Sequence, residues 1–175
     1  ISSMFNAREF RLMRDMENHN KFNHLDRKKI LVAGSSGLIG TQLVAFLDTG
    51  NHDVWKLVRR EADFNKKEIY WNPSEGKIDS SEIEGFDIVI HLGGVGIGDK
   101  RWSKKRKAAI RDSRVDSTTL LSNTLASLES KPELFMVASA IGYYGNREDE
   151  IIDENTSIGD DYLTEICEKW ENSAD

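Results

Sequence analysis

Thiol chemistry is almost absent from this chain. Cys167 is its only cysteine, so no disulfide can close within it, and it offers neither a Cys-x-x-Cys pair nor a His/Cys cluster for zinc. A reducing compartment, and with it a cytoplasmic location, is the expectation. Long apolar runs are missing too: none approaches the ~20 residues that span a bilayer. The opening Ile1-Ser2-Ser3-Met4-Phe5 lacks the basic-then-apolar layout of a signal peptide. No membrane association is expected. The first residue is not Met, so we expect the chain to begin inside a longer gene product. A basic excess is also lacking: 24 Lys and Arg stand against 30 Asp and Glu, for a net charge of -6. That balance argues against sequence-independent nucleic-acid binding. The eight basic side chains between residues 100 and 114, including the run Lys100-Arg101-Trp102-Ser103-Lys104-Lys105-Arg106-Lys107, read as a solvated helix face or as a local anion patch.

What the chain does have is a core-forming pattern. With 38% hydrophobic residues in 175, it can bury the interior of one domain. Strand signals at Ile30–Ala33, Asp53–Val58, Glu68–Trp71, Phe86–Leu92 and Leu134–Ala138 alternate with helical stretches at Leu38–Leu47, Ser103–Leu128 and Asp161–Asn172. Five strands separated by helices predict an α/β Rossmann-like, doubly wound parallel sheet. Ahead of it, Met4–Glu17 reads as a helix with Phe5, Leu12, Met13 and Met16 loosely on one side, and Asn18–His24 as a polar linker. The expected division is therefore residues 1–28 as a helical arm and linker, and 29–175 as the nucleotide-binding domain.

The most informative stretch is Gly34-Ser35-Ser36-Gly37-Leu38-Ile39-Gly40, between the first strand and the first helix of that domain. Glycines there permit a tight turn, let the backbone approach a pyrophosphate, and bring helix and strand close. The free amides at the helix N-terminus attract the phosphate charge. Dinucleotide binding is expected, against the alternative of a purely structural turn.

An NAD site usually places Asp or Glu at the end of the second strand to accept from the ribose hydroxyls. This chain has Leu57-Val58-Arg59-Arg60. Two guanidiniums suit a 2′-phosphate, so NADP is the expected cofactor with Arg59 and Arg60 as clamps. The competing reading has both arginines capping the strand end, with Glu61 and Asp63 as surface partners. Leu92, Gly93 and Gly94, at the end of the fourth strand, would flank the adenosine side of the cleft. His91 would face away from them, as a core or supporting residue.

The Gly-x-x-Gly-x-x-Gly spacing resembles the extended short-chain dehydrogenase/reductase superfamily. Trp71-Asn72-Pro73, His91-Leu92-Gly93-Gly94, Lys100-Arg101-Trp102-Ser103, Ile110-Arg111-Asp112-Ser113-Arg114-Val115, Ser139-Ala140-Ile141-Gly142-Tyr143-Tyr144-Gly145 and Cys167-Glu168-Lys169-Trp170-Glu171 together resemble its atypical epimerase-family proteins, often labelled sugar nucleotide epimerases. These motifs span residues 29 to 175. Some members carry an SRPBCC (START-like) domain ahead of the epimerase-like one, and Phe5–Met16 is similar to the closing helix of such a domain.

The resemblance implies a small-molecule substrate such as a nucleotide sugar, and an Arg114 that reaches the cofactor phosphates. The alternative for Arg114 is a surface ion pair with Asp112 or Asp116. It also implies a catalytic Tyr, a Lys four residues on, and a Ser. A phenol of pKa ~10 needs that neighbouring cation to move protons near neutral pH. Here Tyr162 is followed at that spacing by Ile166, and the Ser position falls on Ala140, with Ser139 one residue early. Tyr162, Ser139 and Tyr144 are the catalytic candidates of an NADP-dependent epimerase or oxidoreductase. A non-catalytic NADP-binding sensor or interaction module is the alternative. Val95 stands where relatives carry Glu, and the glycine-rich run Gly93–Gly98 is expected to be mobile. Because extended members continue past this point, the chain is expected to be the cofactor-binding part of a longer one, incomplete at its C-terminus.

Overall fold

The computed structural model describes residues 2–175, with side chains from residue 8 onward. Its centre is β1 (Lys29–Ala33), a strand whose residues beyond Lys29 are all buried. Leu31 and Ala33 face one side of the sheet and Ile30 and Val32 the other, the two-residue alternation of a strand. An unbroken apolar run is what a strand covered on both faces requires.

On either side of β1 lie β2 (Asp53–Val58) and β5 (Ile88–His91), both parallel to it. Further out are β3 (Glu68–Asn72), parallel to β2, and β6 (Leu134–Val137), parallel to β5. Five parallel strands were expected; a sixth, β4 (Lys77–Ile78), pairs antiparallel with β3 and completes the order β4-β3-β2-β1-β5-β6. Two residues carry too little pattern to announce a strand. β4 forms because the left-handed Gly76 turns the chain back on β3.

Helices cover both faces, as a doubly wound fold demands. α2 (Leu38–Thr49) lays Leu43, Val44 and Leu47 on the Ile30/Val32 side. α3 (Lys104–Ser127) brings Leu121 and Leu125 to the larger core on the other side, with Trp71, Phe86 and Val89. α4 (Tyr162–Asn172) packs on α3, where the Trp170 indole N–H donates to Thr118 Oγ1 at 3.0 Å.

The arm, α1 (Ser2–Phe22), runs five residues past its expected end, so Asn18–Phe22 are helical rather than linker. The extension has a tertiary cause. His19 stacks on Phe46 of α2 with centroids 4.5 Å apart, and its Nε2 lies 3.0 Å from Thr49 Oγ1. Leu12, Met13 and Met16 are exposed, and the side chain of Phe5 lies outside the described residues.

His91 ties the two halves of the fold. It is fully buried, its ring lies edge-on to Trp71 at 5.7 Å, and its Nε2 is 2.8 Å from Ser117 Oγ on α3. Ser117 donates its own proton to the Ser113 carbonyl at 2.7 Å, so His91 donates from Nε2 and accepts the Gly93 amide at Nδ1. Burial pushes the His91 pKa down to about 4 from 6.5. The neutral form is the folded one, so this contribution is complete above pH 6.5 and is lost as pH falls towards 4. We expect up to about 3 kcal/mol of stability to go in that window. Urea unfolding between pH 7 and 4.5 checks it: His91→Gln should remove most of the slope, and an unchanged slope would show that His91 does not cause it.

Candidate functional site

Strand order reverses between β1 and β5, and in open α/β sheets the crevice at the carboxyl ends of such strands is where ligands bind. Here that crevice is a cleft of about 960 Å³. A hollow beside α1 is formed by one helix alone, from Phe10 to Asn18, and gathers no converging chemistry.

The cleft floor is the β1–α2 loop. Gly34 sits at φ +82, and a Cβ there would lie 2.7 Å from the Gly93 nitrogen and the Leu92 carbonyl carbon. A Cβ on Gly40 would lie 2.2 Å from the Gly34 oxygen. Two of the three glycines are thus required by the close approach of β1, α2 and the β5 end. The third, Gly37, is the N-cap of α2 and supplies no side-chain cap, whereas Ser103 and Asp161 cap α3 and α4. The Gly37 amide bonds back to Gly34 O at 3.1 Å and the first α2 bond is Thr41 N to Gly37 O at 3.0 Å. The amides of Leu38, Ile39 and Gly40 therefore have no helical acceptor. A bare helix N-terminus beside a loop with no room for side chains fits a dinucleotide pyrophosphate. The side chains of Leu38 and Ile39 are exposed, 91% and 67%, so it is their backbone that this arrangement uses.

Of the residues expected to bind cofactor, Gly34, Ser35, Ser36, Gly37, Arg59, Arg60, Leu92, Gly93 and Gly94 all line this one cleft, and Leu38, Ile39 and Gly40 form the adjoining helix turn. Arg59 is exposed at the cleft wall. Arg60 is anchored, but by neither Glu61 nor Asp63 side chains. Its Nη1 and Nη2 each donate at 2.7 Å to Glu68, and Nη1 also reaches the Glu61 carbonyl at 2.9 Å. That fork holds the Glu68 carboxyl at about 2, far below its ordinary value.

Arg114 lies behind Gly94, half-buried. Its Nη1 donates to Val95 O and Ile110 O, both at 3.0 Å, and its Cζ lies 5.1 Å from the Trp170 ring centroid. Among the described residues no carboxylate lies within ion-pair distance of it, so neither Asp112 nor Asp116 is its partner. Desolvation by burial holds its pKa below the arginine norm.

The loop after β5 was expected to be mobile, yet α3 and Trp102 just ahead of it hold it on several sides. Val95 N donates to Ser113 Oγ, Arg106 Nη2 to Gly96 O, and Trp102 Nε1 to Ile97 O at 2.8 Å. The cleft wall near β3, including Lys56, Glu68, Asn72 and Ser74, was not assigned to the site by sequence reasoning. The Trp71-Asn72-Pro73 motif marked that wall without revealing which way it faces.

The catalytic candidates stand apart from the cleft lining. Tyr162 donates its hydroxyl proton to the Lys107 carbonyl at 2.7 Å, and burial raises its pKa. The Lys107 ammonium lies 4.5 Å from its ring centroid rather than beside its oxygen. Ser139 donates to Glu171, and Tyr144 packs edge-on to Tyr143 at 5.3 Å. Ile166, in place of the lysine, is buried. Among the described residues no three His, Cys, Asp or Glu side chains gather as metal ligands, and no helix is long and apolar enough to cross a membrane.

A model of the NAD dependent epimerase/dehydratase family matches residues 30–166. An epimerase family protein of Mycobacterium leprae is 42% identical over 144 residues, covering 82% of this chain and 46% of the relative. The structure of the nucleoside-diphosphate sugar epimerase from Corynebacterium glutamicum superposes with a TM-score of 0.81 at 34% identity, over 98% of this chain and 36% of that one. Human epimerase family protein SDR39U1, solved with NADPH, gives 0.71 at 25% identity, over 83% and 48%. The chain spans about half the length of the curated relatives it matches.

Close approach makes a direct prediction. Gly40→Ala should cost about 2–3 kcal/mol by overpacking and weaken dinucleotide binding. Gly76→Ala, where a Cβ meets nothing within 4 Å, should cost only the ~1–2 kcal/mol of a left-handed residue and leave binding unchanged. Thermal melts and a cofactor titration compare the two; equal effects would refute the assignment.

Proposed function

Because the chain belongs to the NAD dependent epimerase/dehydratase family, we propose that it is the nucleotide-binding part of an NADP(H)-dependent epimerase or oxidoreductase. Its substrate in this reading is a nucleotide sugar or a similar small hydroxy or carbonyl compound. One observation carries the choice of cofactor. At the end of β2 the carboxylate that an NAD site needs is replaced by Arg59 and Arg60, and Glu68, the carboxylate that the neighbouring β3 brings to this end of the cleft, is taken up by Arg60. The human relative solved with NADPH agrees with this reading. The nucleotide-sugar class leans on the Corynebacterium glutamicum relative.

The bound nicotinamide would supply a hydride acceptor and donor. The chain's own part is to seat the pyrophosphate on the amides of Leu38, Ile39 and Gly40, to meet a 2′-phosphate with Arg60 and Arg59, and to let the adenosine side approach Gly93 and Gly94. Arg114, positioned through Val95 O, shapes the wall behind Gly94 and adds positive charge to it. The partly desolvated guanidinium acts in a lower dielectric than an exposed one, which strengthens its pull on phosphate.

A second reading is a non-catalytic NADP-binding module. It is favoured by the Tyr162 hydroxyl: its proton is committed to Lys107 O, its pKa is raised, and the Lys107 ammonium lies over its ring. For Tyr162 to act as acid or base, that hydrogen bond must break. Titration of the full-length protein should show NADPH binding at least about tenfold tighter than NADH, the value of one charge-assisted hydrogen-bond pair or so. Equal affinities would sink the cofactor assignment. Hydride exchange that falls ~10²-fold or more in Tyr162→Phe would support the enzyme with that acid or base. No exchange in the unmodified protein, across nucleotide sugars and simple carbonyls, would favour the module.

A further inference from the structure

Glu68 opens β3 and is only 5% exposed, an unusual place for a carboxylate unless it is paired. Three hydrogen bonds and a nearby ammonium occupy its two oxygens. Oε1 accepts from Arg60 Nη2 at 2.7 Å with Lys56 Nζ 3.7 Å away; Oε2 accepts from Arg60 Nη1 at 2.7 Å and from the Asp63 amide at 3.2 Å.

The geometry on the arginine side is equally specific. Both protons of Arg60 Nη1 are used, one by Glu68 and one by the Glu61 carbonyl. Glu68 holds the end of the guanidinium across Nη1 and Nη2. What remains is the other edge, the Nε proton and the outer proton of Nη2, for which no acceptor is found among the described residues. Those two donors are parallel, a spacing that matches two oxygens of one phosphate. The Arg60 side chain is 63% exposed and lines the cleft.

We propose that Glu68 is a positioning residue that sets the dinucleotide preference: it fixes Arg60 so that the free edge of the guanidinium meets a 2′-phosphate, and, being buried with its carboxylate turned to Arg60, it is withheld from the ribose hydroxyls of an unphosphorylated dinucleotide. This rests on the NADP(H) reading above. An unheld arginine gives up its rotamer freedom on binding, whereas one already clamped loses little. The Glu68 charge works against the phosphate, but it sits at the opposite end of the guanidinium, and the two aligned donors outweigh it.

The test is a binding matrix on the full-length protein: dissociation constants for NADPH and NADH in the unmodified chain, Glu68→Gln, Arg60→Ala and the double variant. Glu68→Gln should weaken NADPH by about 5–10-fold while NADH changes by less than about twofold, and in the Arg60→Ala background it should have no further effect. An NADPH:NADH ratio that is unchanged or higher in Glu68→Gln, or a drop that persists without Arg60, overturns the proposal. Using the ratio cancels general loss of fold. If Glu68→Gln fails to fold, Glu68→Asp keeps the charge but is one methylene too short to hold the fork; the same fall in ratio is expected, and no fall refutes the role. An unmodified protein with no preference for NADPH would instead refute the cofactor reading beneath it.

Discussion

Three stretches of backbone meet where there is no room for a side chain. The Gly34 carbonyl occupies the space a Cβ on Gly40 would need, and Gly34 itself is pressed against Leu92 and Gly93. Everything that makes the cleft follows from this contact. It sets α2 against the end of β1, which leaves the amides of Leu38, Ile39 and Gly40 at the mouth of the crevice with no cap. It also sets the β1–α2 loop directly against the loop that leaves β5, so the floor and one wall of the cleft are in contact.

That wall is held from behind by polar contacts rather than by hydrophobic packing. His91 accepts the Gly93 amide and donates to Ser117; Ser113 takes the Val95 amide; Arg114 and Arg106 take carbonyls of the same loop. A glycine-rich loop gains rigidity in this way while its backbone stays close to a ligand. Apart from His91 and Trp102, the strapping side chains come from α3, which accounts for several polar positions of a 24-residue helix. Its buried positions serve the core and several of its polar ones serve the cleft.

How much of this was legible in the sequence depended on whether the signal was local. The unbroken run Ile30–Ala33, the alternating strand and helix patterns and the glycine loop each state a structural demand within a few residues, and all of these elements formed within one or two residues of the expected bounds. The coming together of Gly34, Arg60 and Gly93 in one cleft was legible too, because the fold class fixes which strand ends are neighbours. Contacts across elements were not. The Arg60–Glu68 fork depends on β2 and β3 pairing in the register Lys56 to Glu68, and Glu61 and Asp63 were nearer in sequence. The direction of the Tyr162 hydroxyl depends on where α4 lands on α3. The extra helical turns of α1 depend on a ring of α2 for His19 to stack on.

The central claim is that the bare N-terminus of α2 and the clamped Arg60 together receive an NADP(H) molecule. A crystal structure of the full-length protein with NADPH tests it most directly. The pyrophosphate should lie within hydrogen-bond distance of the Leu38 and Ile39 amides, and the 2′-phosphate on Nε and Nη2 of Arg60, with the Arg60–Glu68 fork intact. A pyrophosphate seated away from α2, or a 2′-phosphate that leaves Arg60 untouched, would contradict it.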